Sequence, residues 1–271
     1  MQSPEESKTA LIVVRTYPVP VEMLVEASCT AAITDTGEWL RLFPLRYRLL
    51  PEHQRFAKYQ WIDVAVRKSP TDPRPESYMP LERSIKISTT PLSTADAWKA
   101  RKEYVYPLKS PSLCHLQRVC NENHYPTLGF FRPKVIEKLE IRESLEPKWT
   151  PKQLQILRQK SLFESGPKQE LEKIPFYFYY HFTCDDASCN GHKVSCADWE
   201  MGESYRKWRS QYGEMWKEKF RQRYETEITQ RNDTHFFVGT LLQYPGTWII
   251  IGLFYPPMSP QGEITFSPSL P

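Results

Sequence analysis

The sequence predicts a mixed β/α protein: two small antiparallel β modules with helical insertions and a long amphipathic helix near the C-terminus. Three observations carry this prediction. Short β-branched or aromatic runs fill residues 8–90, then recur at 130–184 and 234–256. Prolines (24) far outnumber glycines (10), which favours short strands and stiff connections over a helical bundle. From Tyr205 to Ile228, aromatic and apolar residues recur at three- and four-residue steps, the period of a helix face.

The elements follow in order. Lys8–Arg15, Glu26–Thr34, the "EWLRLFP" run after the Asp35–Gly37 turn, Tyr59–Lys68 and Arg83–Ser88 read as five strands of a small barrel or sandwich. "SPTDPRPESYMP" is punctuated by prolines and is not expected to supply a central strand. Residues 94–106 and 111–121 read as helices, the first opening at Ser93 or Thr94. Strand character returns at 130–143, a helix with Pro151 at its first position spans 150–163, and 174–184 is an aromatic strand. The long helix covers roughly 197 to 230, its stripe a core face, and two apolar runs around "YPG" close the chain as an antiparallel pair. The domains expected are a β module at 7–92, a helical connector at 93–128, a second β module with the long helix at 129–258, and a tail at 259–271.

Composition bounds the function classes. Charged residues at 25% and hydrophobic residues at 40% make a globular chain, and +4 with pI near 8.6 permits a nucleic-acid partner without requiring one. The polar start MQSPEESKTA has no apolar h-region, and the longest apolar run, Trp248 to Tyr255, is too short to span a bilayer. The cysteines are clustered rather than spread as a disulfide framework, so the expectation is a cytoplasmic protein with reduced thiols and no membrane partner.

The densest group of soft ligands is "HFTCDDASCNGHKVSC", His181 to Cys196. Its spacing, Cys184-x4-Cys189-x2-His192-x3-Cys196, suits the four tetrahedral corners of zinc, with Asn190-Gly191 reversing the chain between two ligands. Cys184, Cys189, His192 and Cys196 are the expected ligands of a structural ion, with His181 the alternative to Cys196. A three-ligand version with bound water is the catalytic alternative. Asp185 and Asp186 read as solvent-facing turn residues. A looser group, Cys114, His115, Cys120 and His124, reads as core or surface, with a metal group as the alternative.

Between Arg41 and Lys68, seven basic residues face only two acids and are interleaved with aromatics. Cations for phosphates beside flat rings for bases is the design of single-strand binders. Arg41, Arg46, Arg48, Arg55, Lys58, Tyr47 and Tyr59 are the expected nucleic-acid-binding residues. The chain holds no P-loop, G-x-S-x-G, G-x-G-x-x-G or H-E-x-x-H. The remaining catalytic candidates are Asp198 and Glu200, which read as acids at the start of the long helix, with partners that orient the His192 ring as the alternative.

Cys29, Ala31, Gly37, Trp39, Arg41, Asp63, Val64, Pro75 and Glu76 fall in an order that resembles the landmarks of dual OB-fold domain proteins of bacteria. The resemblance covers about 75 residues of the N-terminal third, with Leu42-Phe43 and Ser77 as departures from the pattern. It implies OB-like β modules that bind single-stranded or modified nucleic acid, and a place in a bacterial defence system. The expectation is therefore a non-catalytic nucleic-acid-binding protein with structural Zn2+. The alternatives are a metal-dependent, nuclease-like enzyme and a structural partner subunit of a larger complex.

Overall fold

The computed structural model describes residues 4–159 and 170–258. The strands are β1 (Glu6–Arg15), β2 (Val19–Val21), β3 (Val25–Thr34), β4 (Trp39–Leu45), β5 (Trp61–Lys68), β6 (Ser77–Pro80) and β7 (Lys86–Ile87), then β8 (Lys109–Ser110), β9 (Leu128–Phe131), β10 (Val135–Glu143), β11 (Phe176–Thr183), β12 (His192–Cys196), β13 (His235–Thr240) and β14 (Trp248–Phe254). The helices are α1 (Ala95–Val105), α2 (Leu113–Asn123), α3 (Pro151–Leu157), α4 (Trp199–Tyr212), α5 (Trp216–Arg221) and α6 (Ile228–Arg231). Two compact units interleave along the chain: Met1–Pro91, Ile141–Tyr177 and Asp198–Gly202 form one, and Leu92–Glu140, Phe178–Ala197 and Glu203–Pro271 the other. Residues 93–128, expected as a connector, thus lie in the second unit. The expected tail at 259–271, and the end of the helix expected at 150–163, lie outside the described residues.

The first unit is built on a closed, five-stranded, OB-like barrel. β1 is long enough to serve two neighbours: Ala10–Arg15 pair with β3, and Glu6–Leu11 with β5. A bulge between Ile12 and Val14 bends it within the β3 ladder, just past the last residue paired with β5. The circuit runs β1-β3-β4-β6-β5 and back to β1, antiparallel except where β4 and β6 run parallel. Counting only barrel strands in chain order, this is 1-2-3-5-4-1. Period-two alternation sends Ala10, Ile12, Leu40, Leu42, Ile62, Val64 and Val66 inward, where they pack with Phe56 and Ile85. The proline-punctuated segment does supply a barrel strand, contrary to expectation: β6 pairs with both β4 and β5. It can do so because it is four residues long and its single proline, Pro80, stands last, leaving the other three amides for the ladders.

The second unit holds an open seven-stranded sheet, β10-β11-β12-β14-β13-β9-β8, where a second small barrel was expected. β14 is buried along nearly its whole length, as its unbroken apolar run requires, and pairs antiparallel with β13 and parallel with β12. The helical chain from α4 to α6 stands between β12 and β13 in sequence and lays its apolar stripe on the sheet, which favours a covered open sheet over closure. Phe220 stacks on Phe178 at 4.5 Å, and the Tyr180 hydroxyl donates to the Tyr224 carbonyl at 2.8 Å. The stripe is core as expected at Tyr205, Trp216, Phe220, Tyr224 and Ile228. Tyr212 and Met215 are exposed instead, because the helix breaks at Gly213, whose φ is +56°. Among the described residues no helix is long and apolar enough to cross a membrane.

Candidate metal centre and binding surfaces

Cys114, Cys184, Cys189 and His192 bring one ligand atom each to within 4.8 Å of one another. Cys114 lies in the first turn of α2, Cys184 just past β11, Cys189 in the following loop, and His192 at the start of β12. Tetrahedral zinc with bonds of about 2.3 Å to sulfur and 2.0–2.1 Å to nitrogen spaces its ligand atoms roughly 3.5–3.8 Å apart, so small rotamer adjustments close the shell. Three thiols and one imidazole fill it without an oxygen donor.

Local structure delivers each ligand. Ser112 caps α2, accepting from the His115 amide at 2.9 Å. Gly129 on β9 lets α2 sit close, since a Cβ there would collide with the Leu116 side chain. β11 and β12 pair with Phe182 opposite His192, whose ring stacks on the phenyl at 5.1 Å. Gly191, at φ +86°, makes the expected reversal between Cys189 and His192.

Asp186 ties the loop to the helix. Its Oδ1 accepts from the Ser188 amide at 3.0 Å and the Ser188 hydroxyl at 2.7 Å. Its Oδ2 accepts from Arg118 Nη2 at 2.8 Å and from the Ser112 hydroxyl at 3.4 Å, both from the α2 segment. The Arg118 guanidinium, then the Ser188 donors, hold its carboxyl well below the usual range. Asp186, expected as a solvent-facing turn residue, is the brace of the cluster.

Burial dominates the electrostatics. It pushes the Cys114 thiol up to about 12, with the neighbouring sulfurs adding to the shift, and raises Cys184 in the same direction. Burial also works against the Cys189 thiolate, but donation from the Cys184 and Gly191 amides outweighs it and draws that thiol down. Desolvation lowers His192 and keeps it neutral, the form that ligates.

Two of the expected assignments need correction. Cys196 lies outside the cluster: it ends β12, opposite Phe178 and Ile250, and is buried in the sheet. A strand alternates its side chains, so with His192 on the metal side the odd-numbered partner face is excluded, and Cys196, four residues on, is carried too far along β12. His181 does not replace it either, since its Nε2 meets Glu140 Oε2 at 2.7 Å. The fourth member of the cluster comes from the looser second group, of which Cys114 alone reaches the site.

The expected nucleic-acid residues range from buried Arg41 and Tyr59 to exposed Arg55, and they are engaged within their own unit. Arg41 is 3% exposed, with Nη2 at 3.6 Å from Glu76 and Nη1 at 3.8 Å from Cys29 Sγ. Arg46 meets Glu82 through Nε at 2.9 Å and Nη2 at 2.7 Å. Arg48 pairs with buried Glu26 at 2.9 Å. Arg55 donates to the carbonyls of Leu50 and Arg48, at 2.8 and 3.1 Å. Tyr47 donates to the Phe56 carbonyl at 2.6 Å and stacks against the Arg15 guanidinium, while Tyr59 is buried. These basic residues answer acids and carbonyls of their own unit, most of them distant in sequence, which a count within one window does not register.

The catalytic candidates are likewise engaged. Asp198 Oδ1 accepts from the Glu200 and Met201 amides, at 2.6 and 3.4 Å, so it caps the long helix. Lys58 Nζ lies 3.8 Å from Asp198 and 3.3 Å from Glu200. The helix-start reading of these acids fits this geometry.

Comparison with known families places both halves of the chain. Residues 109–269, which include all four cluster residues, match the family described as Domain of unknown function (DUF8757). The chain belongs to the DUF8757 family. Ahead of that region, residues 6–107 of this DUF8757 member match the family described as Domain of unknown function (DUF8758), a span that contains the barrel. No curated protein matches the sequence.

Proposed function

We propose that this protein is a non-catalytic nucleic-acid-binding protein whose second unit is stapled by a structural zinc ion. The observation that carries the metal's role is the ligand set. Three cysteines and one histidine supply four protein donors, so no corner is left for a reactive water, and soft thiols select zinc over the hard cations of nucleases. The ion joins α2 to the β11–β12 hairpin, elements that share no strand pairing.

The ligand class rests on the barrel. A closed OB-like circuit supports single-stranded or modified nucleic acid by analogy of fold. A place in a bacterial defence system rests on the resemblance to dual OB-fold domain proteins alone. The test is to measure metal content of the purified protein by mass spectrometry, together with anisotropy of labelled single-stranded DNA and RNA across a salt series. The reading expects one zinc per chain, saturable binding that weakens with salt, and no cleavage with added divalent ions. Zinc-free folded protein would remove the staple, and absence of binding to either polymer would remove the ligand class.

A further inference from the structure

The barrel unit carries a groove of about 320 Å³. Its apolar lining is Leu24, Pro44, Met79, Pro80 and Leu81, and its charged lining is Arg46, Glu82 and Arg83. Arg46 and Glu82 neutralise each other, and the Glu82 carboxylate also accepts from the Arg46 amide at 2.6 Å. Arg83 is different: it is exposed, its carbonyl accepts from Gln54 at 3.2 Å, and its guanidinium meets no acid among the described residues. The groove therefore presents an apolar surface and one uncommitted cation.

We propose that this groove seats one nucleotide of a single-stranded nucleic acid, its base against the apolar lining and its phosphate on Arg83. The inference rests on the nucleic-acid reading above and gives it a location. The volume suits one nucleotide rather than a long peptide. An extended peptide would also want a strand edge for its backbone, and neither of the two strands that line the groove offers one. β4 is already paired with β3 and β6, and β6 with β4 and β5. Pro44 and Pro80 have no amide hydrogen at all. Apolar contact with the face of a base and one charge are what remain, and neither reads the edges by which bases differ.

The backbone beside the groove is strained in the same place. Met23 and Val25 hold φ of +62° and +65°, a region costly for any side chain and most of all for a β-branched one. Between them Leu24 lines the groove, while Met23 stands 92% exposed.

Anisotropy with labelled oligothymidine and oligouridine of about a dozen nucleotides tests the proposal. Arg83→Ala and Met79→Glu alter exposed side chains and should leave the melting temperature unchanged. Each is expected to weaken binding about five- to twentyfold, and Arg83→Ala to reduce the salt slope by about one. A strand of equal charge with abasic sugars should bind the native protein more weakly, a penalty that Met79→Glu abolishes. Native binding untouched by either variant would overturn the groove and spare the nucleic-acid reading. No native binding would overturn both. If a blocked acidic Pro/Leu peptide binds and Met79→Glu abolishes that binding alone, the groove belongs to a protein segment and the nucleotide is excluded.

Discussion

Cys114 Sγ lies 3.2 Å from His192 Nε2, although 78 positions separate them. The contact joins the first turn of α2 to the start of β12, and it makes the candidate metal site a tertiary feature. Zinc should bind at one ion per chain and be lost on Cys114→Ser, with affinity falling by more than about two orders of magnitude. Cys196→Ser should keep the ion. Chelator competition with a colorimetric zinc indicator reads both, and a Cys196→Ser variant as metal-poor as Cys114→Ser would refute the assignment.

Asp186 touches both the loop that carries Cys189 and the segment that carries Cys114. Asp186→Asn keeps the size and removes the charge that Arg118 answers. It should lower zinc affinity about 10- to 100-fold while the cobalt-substituted protein keeps a tetrahedral thiolate spectrum. An unchanged affinity would reduce Asp186 to a turn residue.

Much of this architecture was legible in local pattern. Alternation in Tyr59–Lys68 announced β5, the apolar run from Trp248 announced β14, and Cys184, Cys189 and His192 announced a ligand set because one hairpin supplies all three. What failed to read is non-local. Cys114 stands in a looser Cys/His group whose own spacing makes no site, and its partners arrive through α2 packing on Gly129. Nothing near Arg48 marks Glu26 as its acid. β6 was hidden because proline suppresses strand character on average, whereas a short strand needs only a few amides. The open second sheet was hidden because periodicity finds strands and is silent on whether their ends meet.

Arg41 and Glu76 form a pair that burial makes strongly asymmetric to remove, with side chains 4% and 2% exposed. Arg41→Ala leaves a carboxylate buried without its cation and should cost about 3–5 kcal/mol in denaturant unfolding. Replacing both, as Arg41→Met with Glu76→Gln, should cost far less, because no charge is then left behind. Oligonucleotide affinity of the double variant should match the native protein. A stable Arg41→Ala protein with a diminished salt slope would return Arg41 to the binding surface.

His235 gives the second unit a dependence on pH with a definite sign. Its ring is fully buried among Tyr106, Phe130 and Phe254, stacked on Phe130 at 5.0 Å, and its Nδ1 is 3.0 Å from the Asp233 carbonyl. Desolvation lowers its pKa from 6.5 to about 4, against the opposing pull of the Asp233 carboxylate and with Lys109 and Arg132 adding to the lowering. Tyr106 and Arg132 hold that carboxylate at 3.0 and 2.8 Å, so it is already shared. The folded state therefore keeps His235 neutral where the unfolded chain protonates it. The unfolded state binds more protons between pH 6.5 and about 4, so stability is full above 6.5 and falls as pH drops through that window. The loss attributable to this ring is at most about 3 kcal/mol. His235→Phe keeps an aromatic ring of similar size, and urea titrations from pH 7 to 4 should show a shallower decline for the variant. Parallel declines for the native and variant proteins would place the acid sensitivity in other groups.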